Sequence, residues 1–266
     1  VKEPGTVAIT GLGLWTAGFP SAAAWASGKP DLQAQKPLGK ALDRVNRRRA
    51  GPLGRALADV VAEAIAAAGA DMSVVPTVIG SSIGEAATMI GLLDELWRHH
   101  NPMSPADFAM SVHNAASGLI SISNKNRGMT TSLAADENTP AAALLEGIGL
   151  VLTRNTAVVV ACGDEPAPPT LVQHAPPWAM LASAVVLAPL PAAATPLASP
   201  HLATLRIVAG QKVNPRGRFD QLLVDNPQFG LLALVDAVLR GTSGVIALDR
   251  GTGRGYGAQI VAGAHA

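Results

Sequence analysis

The sequence predicts a layered α/β fold. Strand-like runs alternate with helix-like runs through the first two-thirds of the chain, the pattern of a sheet covered by helices. The composition agrees: 48% of the 266 residues are hydrophobic, only 15% are charged and aromatics make up just 3%. A core built from Ala, Val, Leu and Ile lets helices and sheets approach closely. This length allows one large domain or two small ones. With no clear linker and no usable repeat, the reading is a single domain over 1–266.

The elements follow in order. Thr6 to Ile9 is β-rich and, with Gly11 and Gly13 after it, reads as a strand ending in a tight turn. Ser21 to Ala26 suits a helical turn. Residues 29–52, with Pro30, Pro37, Pro52 and several arginines, read as a surface loop. Gly54 to Ala68 is the clearest helix: Leu57, Val60, Val61, Ala64, Ile65 and Ala68 recur at helical spacing, and Gly69 stops it. Val74 to Ile79 is a strand leading into the Gly80–Gly84 turn, and Ala86 to His99 is a helix. Pro102 to Pro105 is a loop, Ala115 to Asn124 a helix and Ser132 to Ala135 a short strand. Pro140 to Leu152 is a helix with Thr139 as its N-cap. Ala157 to Ala161 and Ala184 to Leu187 are paired strands between proline-rich loops at 164–177 and 189–200. Leu202 to Val208 is a strand, Phe229 to Arg240 a helix closed by Gly241, and Gly244 to Leu248 and Ala258 to Ala262 are the last strands.

Composition narrows the function classes. The net charge of +1 gives no global field for nucleic acid. Arg44, Arg47, Arg48 and Arg49, with Arg55 after them, read either as a solvated loop or as a docking patch for an acidic partner. The lone Cys162 permits no internal disulfide and no cysteine-built zinc site, which suits a reducing, cytoplasmic setting. The most apolar stretch, Trp178 to Ala194, is broken by Pro189 and Pro191. It falls short of the roughly 20 residues of a membrane helix, so a buried strand is expected there. Gly11-Leu12-Gly13 lacks the third glycine and following acidic residue of a dinucleotide turn. Gly251 to Gly255 has no phosphate-loop lysine and reads as a turn. No cofactor is implied.

The most informative stretch lies between residues 104 and 165. Ser104-Pro105 and Ser111-Val112-His113-Asn114-Ala115 precede Asn126-Arg127-Gly128 and the run Thr131 to Glu137. A helix and a strand ending in Ala161-Cys162-Gly163-Asp164-Glu165 follow. This ordered set resembles the β-ketoacyl synthases, the condensing enzymes of fatty-acid and polyketide synthesis. Ile9 to Gly13 looks like that family's opening strand, Gly80 to Gly84 like its "GSGIG" turn, and Ala182 to Leu187 like a later strand. The match is best over residues 6–190 and implies a thiolase-like α/β/α fold, truncated relative to a full ketosynthase.

Two departures shape the functional expectation. The resemblance puts Glu137, preceded by Asp136, where the family carries its nucleophilic cysteine. A condensing enzyme needs a thiolate there to hold the acyl chain as a thioester. The family's histidine segments, of the "HGTGT" and "GFGGHN" kind, are absent, and His265 stands at a terminus. The resemblance is to chain-length-factor-like proteins of type II polyketide pathways, of the aryl polyene or xanthomonadin kind. It implies a non-condensing subunit that pairs with a cysteine-bearing ketosynthase, works with acyl-carrier protein and shapes an acyl tunnel. Ser111, His113, Asn114, Asp136 and Glu137 are the candidate pocket or interface residues, with Met110 to Gly118 expected at a dimer interface. Each also has a structural reading: His113 as a hydrogen-bonded residue at a subunit contact, Asp136 and Glu137 as carboxylates favoured at a helix start by about 0.3–1 kcal/mol. Two alternatives stay open: a carrier-protein-linked decarboxylase or hydrolase using Glu137, and a homodimeric acyl-binding protein.

Overall fold

The computed structural model describes residues 5–171, 176–190, 201–209, 218–249 and 255–263. An eight-stranded mixed sheet runs in the order β3-β2-β4-β5-β1-β6-β8-β7. Its strands are β1 (Val7–Thr16), β2 (Thr77–Gly80), β3 (Thr130–Leu133), β4 (Val158–Asp164), β5 (Leu181–Ala188), β6 (Ala203–Ala209), β7 (Gly244–Ala247) and β8 (Tyr256–Ala262). β2 pairs in parallel with β3 and β4; β4, β5 and β1 then pair antiparallel.

Helices cover both faces. On one side, α3 (Pro52–Ala68) and α6 (Ala115–Ser123) pack on Ile79, Val159, Ala161, Ala184 and Val186. On the other, α7 (Thr139–Arg154) and α9 (Phe229–Leu239) pack on Val78, Val158, Val160, Val185 and Leu187. The alternation along β4 and β5 explains the split, because successive side chains point to opposite faces. The remaining helices are α1 (Ala22–Ser27), α2 (Arg44–Arg49), α4 (Ala86–Trp97), α5 (Pro105–Ser111) and α8 (Gln221–Val224).

The expected turn at Gly11 and Gly13 is corrected: β1 runs straight through both. A register shift between Ile9 and Gly11 swaps the parity of the strand. Val7, Ile9, Leu12 and Leu14 therefore face the α7–α9 core, while Trp15 belongs to the α3 core. A Cβ on Gly11 would lie 2.1 Å from the Ala64 carbonyl oxygen, and one on Gly13 2.1 Å from that of Val60. These glycines let the backbone of α3 rest directly on the strand.

Other boundaries move for local reasons. The loop expected over 29–52 contains α2, started by Asp43, whose carboxylate accepts from the Val45 and Asn46 N–H groups. Pro37 and Gly39 are buried rather than on the surface. α5 is capped by Ser104, whose hydroxyl accepts from Asp107 N–H. β3 ends at Leu133, two residues before the expected limit. A 3-10 turn over Asp136–Asn138 intervenes before α7, so Asn138, not Thr139, holds the N-cap position. The last strands, the helix ending before Gly241 (φ +63°) and the β4–β5 pair lie where expected. Residues 251–254, His265 and parts of the two proline-rich loops fall outside the described residues.

Candidate functional site

The site forms where β2, β3 and β4 end. β3 leads through Ala134 and Ala135 to Asp136, which adopts the left-handed φ of +50° before the chain enters α7. Aspartate tolerates this conformation better than most residues. Thr139, fully buried at the start of α7, locks the bend: its hydroxyl accepts from Ala135 N–H at 2.9 Å and donates to the Asp136 carbonyl at 2.7 Å. Ser82 on the β2–α4 turn donates to the same carbonyl at 2.8 Å.

Behind Ser82 lies a buried polar cluster. Asp164, at the end of β4, accepts from the Ser81 hydroxyl at 2.5 Å, from the Ser82 and Ile83 N–H groups, and from Gln228 Nε2 at 2.6 Å. Gln228 Nε2 also donates to Ser82 Oγ at 2.9 Å, and Asn226 Nδ2 donates to the carbonyls of Asp164 and Ala179. Burial pushes the Asp164 carboxyl up from its ordinary range, while hydrogen bonds from Ser81, Gln228 and the backbone pull it back. The turn 80–84 is thereby fixed from below and fixes the Asp136 backbone above it.

The candidate residues divide accordingly. His113 meets this turn, with Nε2 2.7 Å from the Ser81 carbonyl and its ring against Gly84. Asp136 meets it through its carbonyl, so the turn lies between the two. The Asp136 side chain is exposed, and Glu137 is half-buried in the 3-10 turn. Asn114 opens α6 and lines a groove of about 470 Å³ with Ser117, Ile122 and Ser132, beside the edge strand β3. Ser111 closes α5, its hydroxyl donating to the Phe108 carbonyl. Cys162 is buried within β4, and burial together with the neighbouring Asp164 pushes its thiol far above its ordinary value. It is unsuited to act as a nucleophile. Among the described residues no group of three His, Cys, Asp or Glu side chains gathers to hold a metal ion.

Asn226 and Gln228 escaped the sequence reading, while Ser82 and Thr139 entered it only as part of a turn and as a helix cap. The available signal was weak: Asn226 and Gln228 are polar residues directly before an almost wholly apolar helix.

A strand, a strained bend and a helix start form the geometry of an elbow that presents one residue at a helix N-terminus. The sequence profile of the β-ketoacyl synthase N-terminal domain matches residues 22–221. The chain belongs to that family. Solved structures agree on the thiolase-like fold. A ketosynthase (ApeO) in complex with its chain length factor (ApeC) from Xenorhabdus doucetiae superposes with TM-score 0.67 at 19% identity, covering 96% of this chain and 99% of that one. The ishigamide ketosynthase/chain length factor gives 0.61 at 16% identity over 77% of this chain and 67% of that one. A β-ketoacyl synthase from Burkholderia phymatum gives 0.58 at 14% identity over 87% and 70%. A search of curated protein sequences finds no match. Among the described residues, no helix of this ketosynthase-like chain is long and apolar enough to cross a membrane.

Chemically, the bend between β3 and α7 offers the carboxylates of Asp136 and Glu137 and no thiol. A carboxylate attacking a thioester would give an acyl anhydride, which water opens easily; a durable acyl-enzyme needs sulfur.

Proposed function

We propose that this chain is a non-condensing ketosynthase-like subunit. It pairs with a cysteine-bearing ketosynthase and helps shape an acyl tunnel in type II polyketide (polyene pigment) or fatty-acid-like synthesis, with acyl-carrier protein as the substrate carrier. The observation that carries this reading is the elbow itself: Ser82 and Thr139 hold a bend at the Asp136 carbonyl directly before α7, and the resemblance assigns Glu137 in that bend to the nucleophile position.

A second feature supports a partner. α4 and α5 form an arm in which only Ala86 and Leu92 are buried. Trp97 on this arm is 67% exposed and Phe108 53%, and Ile122 beside β3 is 69% exposed. Among the described residues β3 pairs with β2 alone, leaving its outer edge open. A free strand edge flanked by large apolar side chains is a surface that soluble proteins normally cover. The segment Met110 to Gly118 joins α5 to α6 and is assigned to the proposed interface, which on an obligate pairing would exceed about 2,000 Å².

The test is co-expression with a cysteine-bearing ketosynthase, followed by size-exclusion chromatography and intact-mass analysis after incubation with acyl-charged carrier protein. A stable heterodimer acylated only on the partner is expected. A covalent acyl adduct on this chain, or a stable solitary species that ignores the ketosynthase, overturns the proposal.

A further inference from the structure

A cavity of about 350 Å³ opens where the segment around Lys36 and Pro37 meets the start of α3. Pro37, Ala50, Pro52 and Met180 give it apolar walls; Lys36 and Arg55 are its charged residues, and no carboxylate lines it. The nearby acid on α3, Asp59, is already committed: it accepts from Leu38 N–H at 2.7 Å and Lys40 N–H at 2.6 Å.

Two arginines flank the buried Gly39, and they differ. A Cβ there would lie 3.2 Å from Arg55 Cγ and 3.4 Å from Arg47 Cγ, so the missing side chain makes room for both stems. Arg47 uses its head on the protein, donating from Nε to the Gly39 carbonyl and from a terminal nitrogen to that of Leu42. Arg55 is half-buried, and its Nε is fully buried with no hydrogen-bond acceptor. A buried donor left without an acceptor is costly, and more so when it is charged. Arg55 thus lines the cavity with a guanidinium whose Nε no protein acceptor has taken.

We propose that this cavity binds a small amphipathic carboxylate, its head on Arg55 and Lys36 and its short apolar body between Pro37, Pro52 and Met180. The charge of the lining excludes cations. The planar fork of Arg55 matches a carboxylate edge-on, and Lys36 adds a second positive charge at the rim. The volume sits at the small end of ligand pockets, which limits the body to a short chain. None of these residues belongs to the elbow or the arm, so the site stands independently of the role proposed above.

The experiment is methyl NMR on the purified protein labelled at its methionine methyl groups, with the Met180 signal assigned through Met180→Leu. Hexanoate is the probe; hexan-1-ol and hexylamine, of the same chain length, are the controls. Hexanoate should shift the Met180 methyl saturably and bind at least about tenfold more tightly than either control. Arg55→Met should weaken hexanoate by about tenfold or more and abolish its advantage over hexanol. Arg55→Lys should retain part of it, and the rim variant Lys36→Met should lose a smaller factor. Equal binding of hexanoate and hexanol would reduce the cavity to an apolar crevice, and an unsaturable Met180 shift would leave Arg55 Nε to a water molecule. Either result, or hexanoate binding unchanged in a folded Arg55→Met protein, overturns the proposal.

Discussion

Glu85→Gln tests how the base of the α4–α5 arm is held. Glu85 stands at the N-cap position of α4 but does not cap its own helix. Its carboxylate turns to the start of α3 instead, where it accepts from Gly54 N–H. A Cβ on Gly51 would come within 2.5 Å of Glu85 Oε2 and one on Gly54 within 3.1 Å of Oε1, so only glycines leave room for it. Glu165 lies close by and accepts from Ala87 N–H in the first turn of α4. Burial first, and then the charge of Glu165, raise Glu85 from 4.5 to about 7. Between those two values the native protein binds more protons than the unfolded chain, so stability falls as pH rises through the window. The rise corresponds to about 3 kcal/mol, fully expressed above the folded value. Glutamine keeps the shape and the acceptor and removes the charge. Urea unfolding from pH 5 to 8 should show wild-type stability declining while Glu85→Gln declines far less. At pH 8 the variant should melt about 6–12 °C higher, given about 2–4 °C per kcal/mol at this size. Parallel stability–pH curves for the two proteins would refute the reasoning, since they would place the titration elsewhere.

Three further outcomes follow from the packing and the elbow. Asp236, buried in α9, receives Trp25 Nε1 at 2.9 Å and pairs with Arg218 and Arg240, both half-exposed. Asp236→Ala should lower stability by about 2–3 kcal/mol in denaturant titration and change Trp25 fluorescence, because it orphans the indole donor and both guanidinium partners. Gly13→Ala forces a methyl onto the Val60 carbonyl oxygen and should cost at least about 3 kcal/mol, read as a lowered melting midpoint or loss of soluble protein. Glu137→Cys should gain reactivity toward thiol alkylating reagents, since a helix start favours the thiolate, yet yield no ketoacyl product without a partner ketosynthase. Robust product from the purified variant would reveal catalytic groups elsewhere in the chain.

The layered α/β class, α3, α9 and the β4–β5 pair were all legible from sequence. Each is encoded by its own periodicity: the apolar stripe of α3 with Gly69 as its stop, and the β-branched run of β4. The absence of cysteine from residues 131–137 was equally legible, because the only cysteine of the sequence is Cys162. Short elements were harder. α2 and α5 carry no long periodic signal and are started by capping side chains, Asp43 and Ser104.

What only the tertiary structure decided is how distant residues meet. Gly11 and Gly13 look like a turn in isolation; the backbone of α3, some fifty residues on, makes them strand positions where no side chain fits. Gln228 reaches Asp164 across 64 residues, and Glu165 caps Ala87 across 78. No local pattern encodes these meetings. Periodicity records which face of an element is apolar, whereas a buried polar contact depends on where two separately folded elements end. That residues 131–137 hold carboxylates and no cysteine is therefore written in the sequence, and the network that holds this bend in place appears only when the sheet has assembled.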